Sequence, residues 1–216
     1  MNIASAKNRG YFKIKGAATA FDFDFKDKVV LDIGSSTGGF TQYALEQGAK
    51  KVIAVEKGTN QMKSPLRNDP RVELYEKTDI FDFGITKMPS EGHPQLLRGR
   101  SEEPHEDGRD ERPEKGISVI LADVSFISLT KILKYAKDHL ACKDTEFLVM
   151  LKPQFEAKPY QLNNGIVKNE KIRREIIRDF ESWLKLNKFI VQNKKDNDLH
   201  GKHGNTERFY YLHLAK

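Results

Sequence analysis

Five charged residues stand where strands of an alternating strand–helix chain would end: Asp32, Glu56, Asp79, Asp123 and Lys152. Open α/β sheets take their ligands beyond the carboxyl ends of their strands. Four acids and one lysine collected there suit a ligand that carries positive charge and hydroxyl groups. They also suit proton chemistry between an ammonium and a carboxylate. The first of these boundaries holds a glycine-rich turn, Asp32-Ile-Gly-Ser-Ser-Thr-Gly-Gly-Phe40. Gly34, Gly38 and Gly39 free the backbone for a tight turn and for close approach of a ligand.

The spacing of that turn is selective. A dinucleotide fingerprint needs a glycine where Ser36 stands, and a phosphate-cradling loop would need a Gly-Lys-Ser/Thr run that is missing. An aspartate ahead of the turn favours an amino-acid end over a phosphate. Glu56 closes the second strand, where an acid can accept hydrogen bonds from two ribose hydroxyls. Amino acid, sulfonium and adenosine together describe S-adenosylmethionine. The expected cofactor cradle is therefore Asp32, Gly34, Ser35, Ser36, Thr37, Gly38, Gly39, Phe40, Glu56, Asp79 and Asp123. Asp123 and Lys152 end neighbouring strands and are expected to meet near the transferred methyl. Lys13 and Glu207, at opposite ends of the chain, are two further charged candidates.

The elements that must hold these residues follow from periodicity. Short apolar runs predict strands at Val29–Ile33, Lys51–Glu56, Arg71–Glu76, Ile117–Asp123 and Glu146–Lys152. Helical spacing predicts helices from Phe40 to Gln47, through Ile132, Leu133 and Ala136, and from Glu170 to Leu186. Phe189–Gln192 and Arg208–Leu214 close the chain as strands with no helix between them. The expected fold is α/β, a Rossmann-like, mostly parallel sheet with an antiparallel C-terminal edge pair.

The 216 residues suit one domain with a full hydrophobic core. Residues 87–116 hold 14 charges, several prolines and almost no apolar residue, and read as a disordered insertion. Net charge is +6, and residues 117–216 alone carry +6. That asymmetry suits a polyanionic partner, nucleic acid first and a membrane surface second, or equally a solvated lysine-rich surface. Lys171, Arg173, Arg174 and Arg178 lie on the polar face of the last helix, where they would touch RNA phosphates or solvent. No run approaches the length of a membrane span. The lone cysteine, Cys142, excludes an internal disulfide and points to a reducing, cytosolic setting. His200, His203 and His213 lack carboxylates or cysteines at metal spacing, and no metal is expected.

Several motifs, in order, carry a resemblance: Asp32–Thr41, Val55-Glu-Lys-Gly-Thr-Asn-Gln61, Leu66-Arg-Asn-Asp-Pro-Arg-Val72, Asp123-Val-Ser-Phe-Ile-Ser-Leu129, Leu151-Lys-Pro-Gln-Phe-Glu156, Gly165-Ile-Val167 and Gly204-Asn-Thr-Glu207. From Arg9 nearly to the end, residues 87–116 apart, the chain resembles the TlyA (haemolysin A) family of FtsJ-like ribose 2′-O-methyltransferases. The resemblance implies a class I methyltransferase fold and transfer from S-adenosylmethionine to a ribosomal RNA ribose, typically of a cytidine. It implies a catalytic Lys-Asp-Lys-Glu set at Lys13, Asp123, Lys152 and Glu207. Family members typically begin with a small S4-like RNA-binding domain, which this chain is expected to lack.

A ribose hydroxyl is a poor nucleophile at neutral pH and needs a base or a cation beside it. An ordinary lysine holds its proton to about pH 10.4; burial and a second cation lower that value. Lys152 is thus the expected deprotonating group and Lys13 the second cation, with Asp123 and Glu207 orienting Lys152 and balancing charge. Two rival functions fit the same chain: a non-catalytic RNA-binding or ribosome-associated protein, and a methyltransferase acting on a protein or small molecule.

Overall fold

The computed structural model describes residues 7–86, 116–199 and 204–215. The charged stretch 87–116 lies, but for Gly116, outside them, as do His200 and His203.

The chain opens with α1 (Arg9–Phe21) and then alternates: β1 (Val29–Ile33), α2 (Gly39–Glu46), β2 (Lys51–Val55), β3 (Val72–Tyr75), α3 (Ile80–Thr86), β4 (Val119–Ala122), α4 (Leu129–His139), β5 (Glu146–Leu151), the short α5 (Pro153–Glu156), α6 (Glu170–Leu186), β6 (Phe189–Asp196) and β7 (Arg208–Leu214). One seven-stranded sheet results, in the order β3-β2-β1-β4-β5-β7-β6. The first five strands are parallel. β7 runs antiparallel between β5 and β6. No helix among the described residues is long and apolar enough to cross a membrane.

Alternation along the strands divides the core into two layers, because successive side chains point to opposite faces. Val30, Val52, Ala54, Val119, Leu121, Leu148, Met150 and Phe209 pack with residues of α1 and α2. Leu31, Ile33, Ile53, Val55, Ile120, Ala122, Phe147, Val149 and Leu151 pack with residues of α3, α4 and α6. Each fully buried Leu, Ile, Val or Phe contributes about 1.5–3 kcal/mol relative to exposure.

The helix starts carry side-chain caps. Asn8 Oδ1 accepts the Tyr11 amide at α1, Ser128 Oγ the Thr130 amide at α4, and Asn169 Oδ1 the Lys171 and Ile172 amides at α6. Each such cap is worth about 0.5–2 kcal/mol. α1 was not apparent from the sequence; it lays Tyr11, Ile14, Ala17, Ala18 and Phe21 onto the sheet and carries Lys13. α6 matches its expected span, yet Arg173 is buried rather than on the polar face. Its guanidinium reaches Asp196 Oδ1 at 2.7 Å and the Thr206 carbonyl at 3.4 Å.

Candidate active site

Strand parity gathers the charged candidates on one face. Asp32 shares a face with Val30, Asp123 with Leu121, Lys152 with Met150, and Glu207 with Phe209, by the two-residue period. That is the layer beneath α1 and α2. Registers then set the lateral order. Ile33 lies opposite Val55 on one side and Ala122 on the other, which brings Gly34, Glu56 and Asp123 to one edge. β5 and β7 pair Leu151 with Arg208, so the next pair outward is Lys152 and Glu207. An antiparallel β7 begins where the parallel strands end, which is why a residue near the C-terminus reaches this edge.

Two ion pairs occupy it. Lys152 Nζ lies 2.6 Å from Asp123 Oδ1 and donates to Ser125 Oγ at 2.9 Å. Lys13 Nζ lies 2.6 Å from Glu207 Oε2, with side chains 9% and 4% exposed. Asn197 steadies Glu207: its Nδ2 donates to Glu207 Oε2 at 3.3 Å, and its amide donates to the Glu207 carbonyl at 2.8 Å. The four charged groups sum to zero.

The Lys13–Glu207 pair is buried enough to be costly to break from one side. Lys13→Met or Glu207→Gln alone is expected to destabilise the fold by about 3–5 kcal/mol, because each leaves an uncompensated buried charge. The double substitution should cost clearly less than the sum. Denaturant unfolding of the three variants measures this, and additive losses would disprove the coupling.

The first glycine turn is built as its residue types require. Gly34 and Gly38 have φ of 79° and 85°, a region open to glycine at little cost. Gly39 is required for a different reason: a Cβ there would lie 2.2 Å from Asn8 Oδ1 and 2.6 Å from the Tyr11 nitrogen. The start of α1 rests directly on the start of α2, and Asn8 Nδ2 donates to Thr37 Oγ1 at 2.9 Å. Lys13 is thereby tied to the same turn that holds the cradle. Phe40 is buried behind that turn, against the ring of Phe209.

Asp32 is fully buried. Thr41 Oγ1 donates to its Oδ2 at 2.6 Å, while Oδ1 has no hydrogen-bond partner, and neither has the buried Ser35 Oγ. Burial pushes the carboxyl up to about 7; the Thr41 hydroxyl opposes this and the Asp123 charge adds to it. An orphaned carboxylate oxygen and, three residues further on, an orphaned hydroxyl suit a cationic donor such as an α-ammonium.

Glu56 bridges its own loop and the first glycine turn. Its Oε2 accepts the Ser36 amide at 2.8 Å, and Oε1 accepts the Gly58 amide at 2.6 Å and Gln61 Nε2 at 3.2 Å. Each carboxylate oxygen has two acceptor sites, so Oε2 keeps one for a hydroxyl. Asp79 sits at the start of α3, accepting the Phe81 amide at 3.2 Å and pairing with Lys57 at 3.0 Å. Burial works against its charge, but Lys57 and the amides of Phe81 and Ile80 outweigh it and hold the carboxyl below its ordinary value.

One aromatic residue escaped the sequence reading. Phe126, three residues after Asp123, is 93% exposed and has φ of 64°. Its ring meets Phe155 of α5 at 5.2 Å between centroids. Glu156 locks the two segments together: Ser128 Oγ donates to Oε2 at 2.6 Å and the Leu129 amide to Oε1 at 2.7 Å. The loop after β4 and the turn after β5, which Lys152 opens, are thus joined by two hydrogen bonds and a ring contact.

A family model described as FtsJ-like methyltransferase matches residues 6–214. The 23S rRNA (cytidine-2′-O)-methyltransferase TlyA of Campylobacter jejuni is 34% identical over 206 residues, covering 94% of this chain and 69% of its own. The 16S/23S rRNA (cytidine-2′-O)-methyltransferase TlyA of Mycobacterium tuberculosis is 33% identical over 207 residues, covering 95% and 67%. The chain spans about two thirds of the length of these relatives. A solved structure of a Streptococcus thermophilus protein, provisionally named a hemolysin, superposes with a TM-score of 0.80 at 31% identity, over 100% of this chain and 68% of that one.

Proposed function

Because the chain belongs to the FtsJ-like methyltransferase family, we propose that it methylates the ribose 2′-hydroxyl of a ribosomal RNA nucleotide, a cytidine, with S-adenosylmethionine as donor. The observation that carries this reading is the pair of ammonium–carboxylate contacts at the strand ends, the buried Lys13–Glu207 and the half-buried Lys152–Asp123, on the same sheet edge as the orphaned Asp32 oxygen. The names of the relatives supply the acceptor class.

S-adenosylmethionine supplies a methyl already activated on a sulfonium. Asp32 Oδ1 and Ser35 Oγ receive its amino-acid end, and Glu56 Oε2 one of its ribose hydroxyls. Gly34, Ser36, Thr37, Gly38 and Gly39 shape the turn beneath it, Phe40 backs that turn, and Asp79 borders the nucleoside side. Asp123 faces both the ligand and Lys152.

Lys152, once its ammonium has released a proton to solvent, takes the 2′-hydroxyl proton on the freed lone pair and is an ammonium again after transfer. Asp123 and Ser125 engage Nζ from two directions and aim its remaining site outward. Lys13, held by Glu207, is the second cation and stabilises charge that develops on the ribose oxygen. The protein's main contribution is alignment for in-line displacement. Phe126 offers an open ring face to the target base, and such stacking is worth about 1–3 kcal/mol.

The test is transfer of a labelled methyl group to separated ribosomal subunits and to naked ribosomal RNA. The modified nucleotide is identified by resistance of its 3′-phosphodiester to alkaline hydrolysis, which needs a free 2′-hydroxyl. Binding of S-adenosylmethionine with no transfer to either substrate would reduce the protein to an RNA-binding relative of the family. Transfer to base nitrogens or to protein would refute the ribose acceptor.

A further inference from the structure

Residues 157–169, Ala-Lys-Pro-Tyr-Gln-Leu-Asn-Asn-Gly-Ile-Val-Lys-Asn, include no acid, two lysines, an exposed-type aromatic and four side-chain amides. Such a composition neither builds a core nor makes a solvated charged face. The structure makes it a shaped surface. Asn163 and Ile166 exchange both backbone hydrogen bonds, at 2.9 and 3.0 Å, around Asn164 and Gly165 with φ of 49° and 76°. Two central residues with positive φ define the tight type I′ connection, for which Asn-Gly is the favoured pair. Asn205, buried, pins this turn: its Nδ2 donates to the Gly165 carbonyl at 3.1 Å and its Oδ1 accepts the Val167 amide at 3.0 Å.

Tyr160 is 78% exposed. It borders two depressions, one of about 490 Å³ shared with the Asn163–Asn164 turn and Lys168, the other of about 400 Å³ shared with Trp183 and Arg178. Among the described residues the side chains of Asn163 and Asn164 make no hydrogen bond, and Lys168 has no acidic partner. Both ends of this surface lead into the catalytic set. Lys152 runs through α5 into Lys158, and Asn205 stands two residues before Glu207.

We propose that the depression between Tyr160, the Asn163–Asn164 turn and Lys168 is a subsite for an unpaired RNA nucleotide flanking the methylated one. The proposal rests on the RNA-methylating reading above and extends it to the substrate's neighbouring residue. An exposed aromatic provides a stacking platform that any base can use. Amide side chains donate to and accept from base edges, and a lone lysine answers the phosphate. A surface with no acid and +2 over these residues matches a polyanion. An apolar protein partner would instead require a contiguous hydrophobic patch.

The experiment compares the parent chain, Tyr160→Ala, Tyr160→Phe and Lys168→Ala. Anisotropy of a short fluorescein-labelled oligocytidine reports binding, steady-state methyl transfer to ribosomal RNA reports KM and kcat, and S-adenosylmethionine affinity reports the integrity of the fold. Tyr160→Ala is expected to weaken oligocytidine binding about 5–100-fold and to raise the RNA KM alike, with kcat unchanged; Tyr160→Phe should stay within about twofold. Lys168→Ala should make the log–log salt slope shallower by about 0.7. Equal oligocytidine binding by parent and Tyr160→Ala, whether both bind or neither does, would overturn the subsite while leaving the methylation reading to its own test. Tyrosine-dependent binding with no methyl transfer would uphold the subsite and sink the catalytic reading.

Discussion

Lys152→Ala is expected to lower kcat for methyl transfer by about 10²–10⁴-fold, the usual worth of a positioned proton acceptor, while S-adenosylmethionine affinity changes little. The expectation follows from geometry. Lys152 follows β5, opposite Glu207 and one register step beyond the Leu151–Arg208 pair, and its Nζ meets Asp123 at 2.6 Å and Ser125 at 2.9 Å. Truncation removes the atom that faces the hydroxyl but leaves the glycine turn and Asp32 intact. Lys152→Arg separates two roles. A guanidinium keeps the positive charge yet cannot give up its proton in a protein. If Lys152 takes a proton, arginine should be nearly as damaging as alanine; if it only stabilises charge, arginine should recover much of the rate. Single-turnover kinetics with bound cofactor reads the chemical step directly. Transfer at the parental rate in Lys152→Ala would remove this residue from the mechanism.

The strand ends were legible because β1, β2, β4 and β5 are mostly apolar runs, and a charged residue at the end of such a run has nowhere to go but the edge. The same logic reached Asp32, Asp123 and Lys152 without a structure. Lys13 and Glu207 were legible only by resemblance to a family. Their partnership depends on α1, whose buried face mixes Tyr11, Ile14 and Phe21 with Ala17, Ala18 and a lysine and whose span includes Gly10 and Gly16, so its periodic signal is weak. It depends too on the antiparallel entry of β7, which period alone does not order in the sheet. Arg173 illustrates a second limit. An arginine on a charged helix reads as solvated, and its burial rests on tertiary partners, the β6 carboxylate of Asp196 and the Thr206 carbonyl. Phe126 illustrates a third: a phenylalanine reads as core, and nothing local announces the left-handed backbone that turns it outward. Asp79 lies at the predicted position, but its caps and its Lys57 partner are tertiary facts.

Asp32→Asn is expected to make the ligand-free protein more stable near neutral pH and yet nearly unable to bind S-adenosylmethionine. Asp32 is fully buried with one oxygen unpartnered, and burial raises its carboxyl from 3.8 to about 7. A raised folded-state value means that the native state binds the proton more tightly than the unfolded chain. The contribution is therefore fully present below about pH 4 and is lost as pH rises through about 7. Asparagine is isosteric and always neutral, so it escapes that loss. At about one pKa unit per 1.36 kcal/mol, the variant should gain about 2–4 kcal/mol over the parent above pH 7, shrinking towards nothing near pH 4. Ligand binding runs the other way. The ionised carboxylate is what a cationic α-ammonium needs in a dry site, and removing it should raise the dissociation constant about 10²-fold. For the parent, affinity should climb with pH until the carboxyl is ionised, then fall as the ligand's own amine, near pH 7.7–8.0, loses its proton. Calorimetric titration across that range, beside thermal unfolding of both proteins, checks both halves. A variant that melts lower than the parent at every pH, or binds the cofactor as tightly, would show that Asp32 is a structural acid and not the anchor of the ligand.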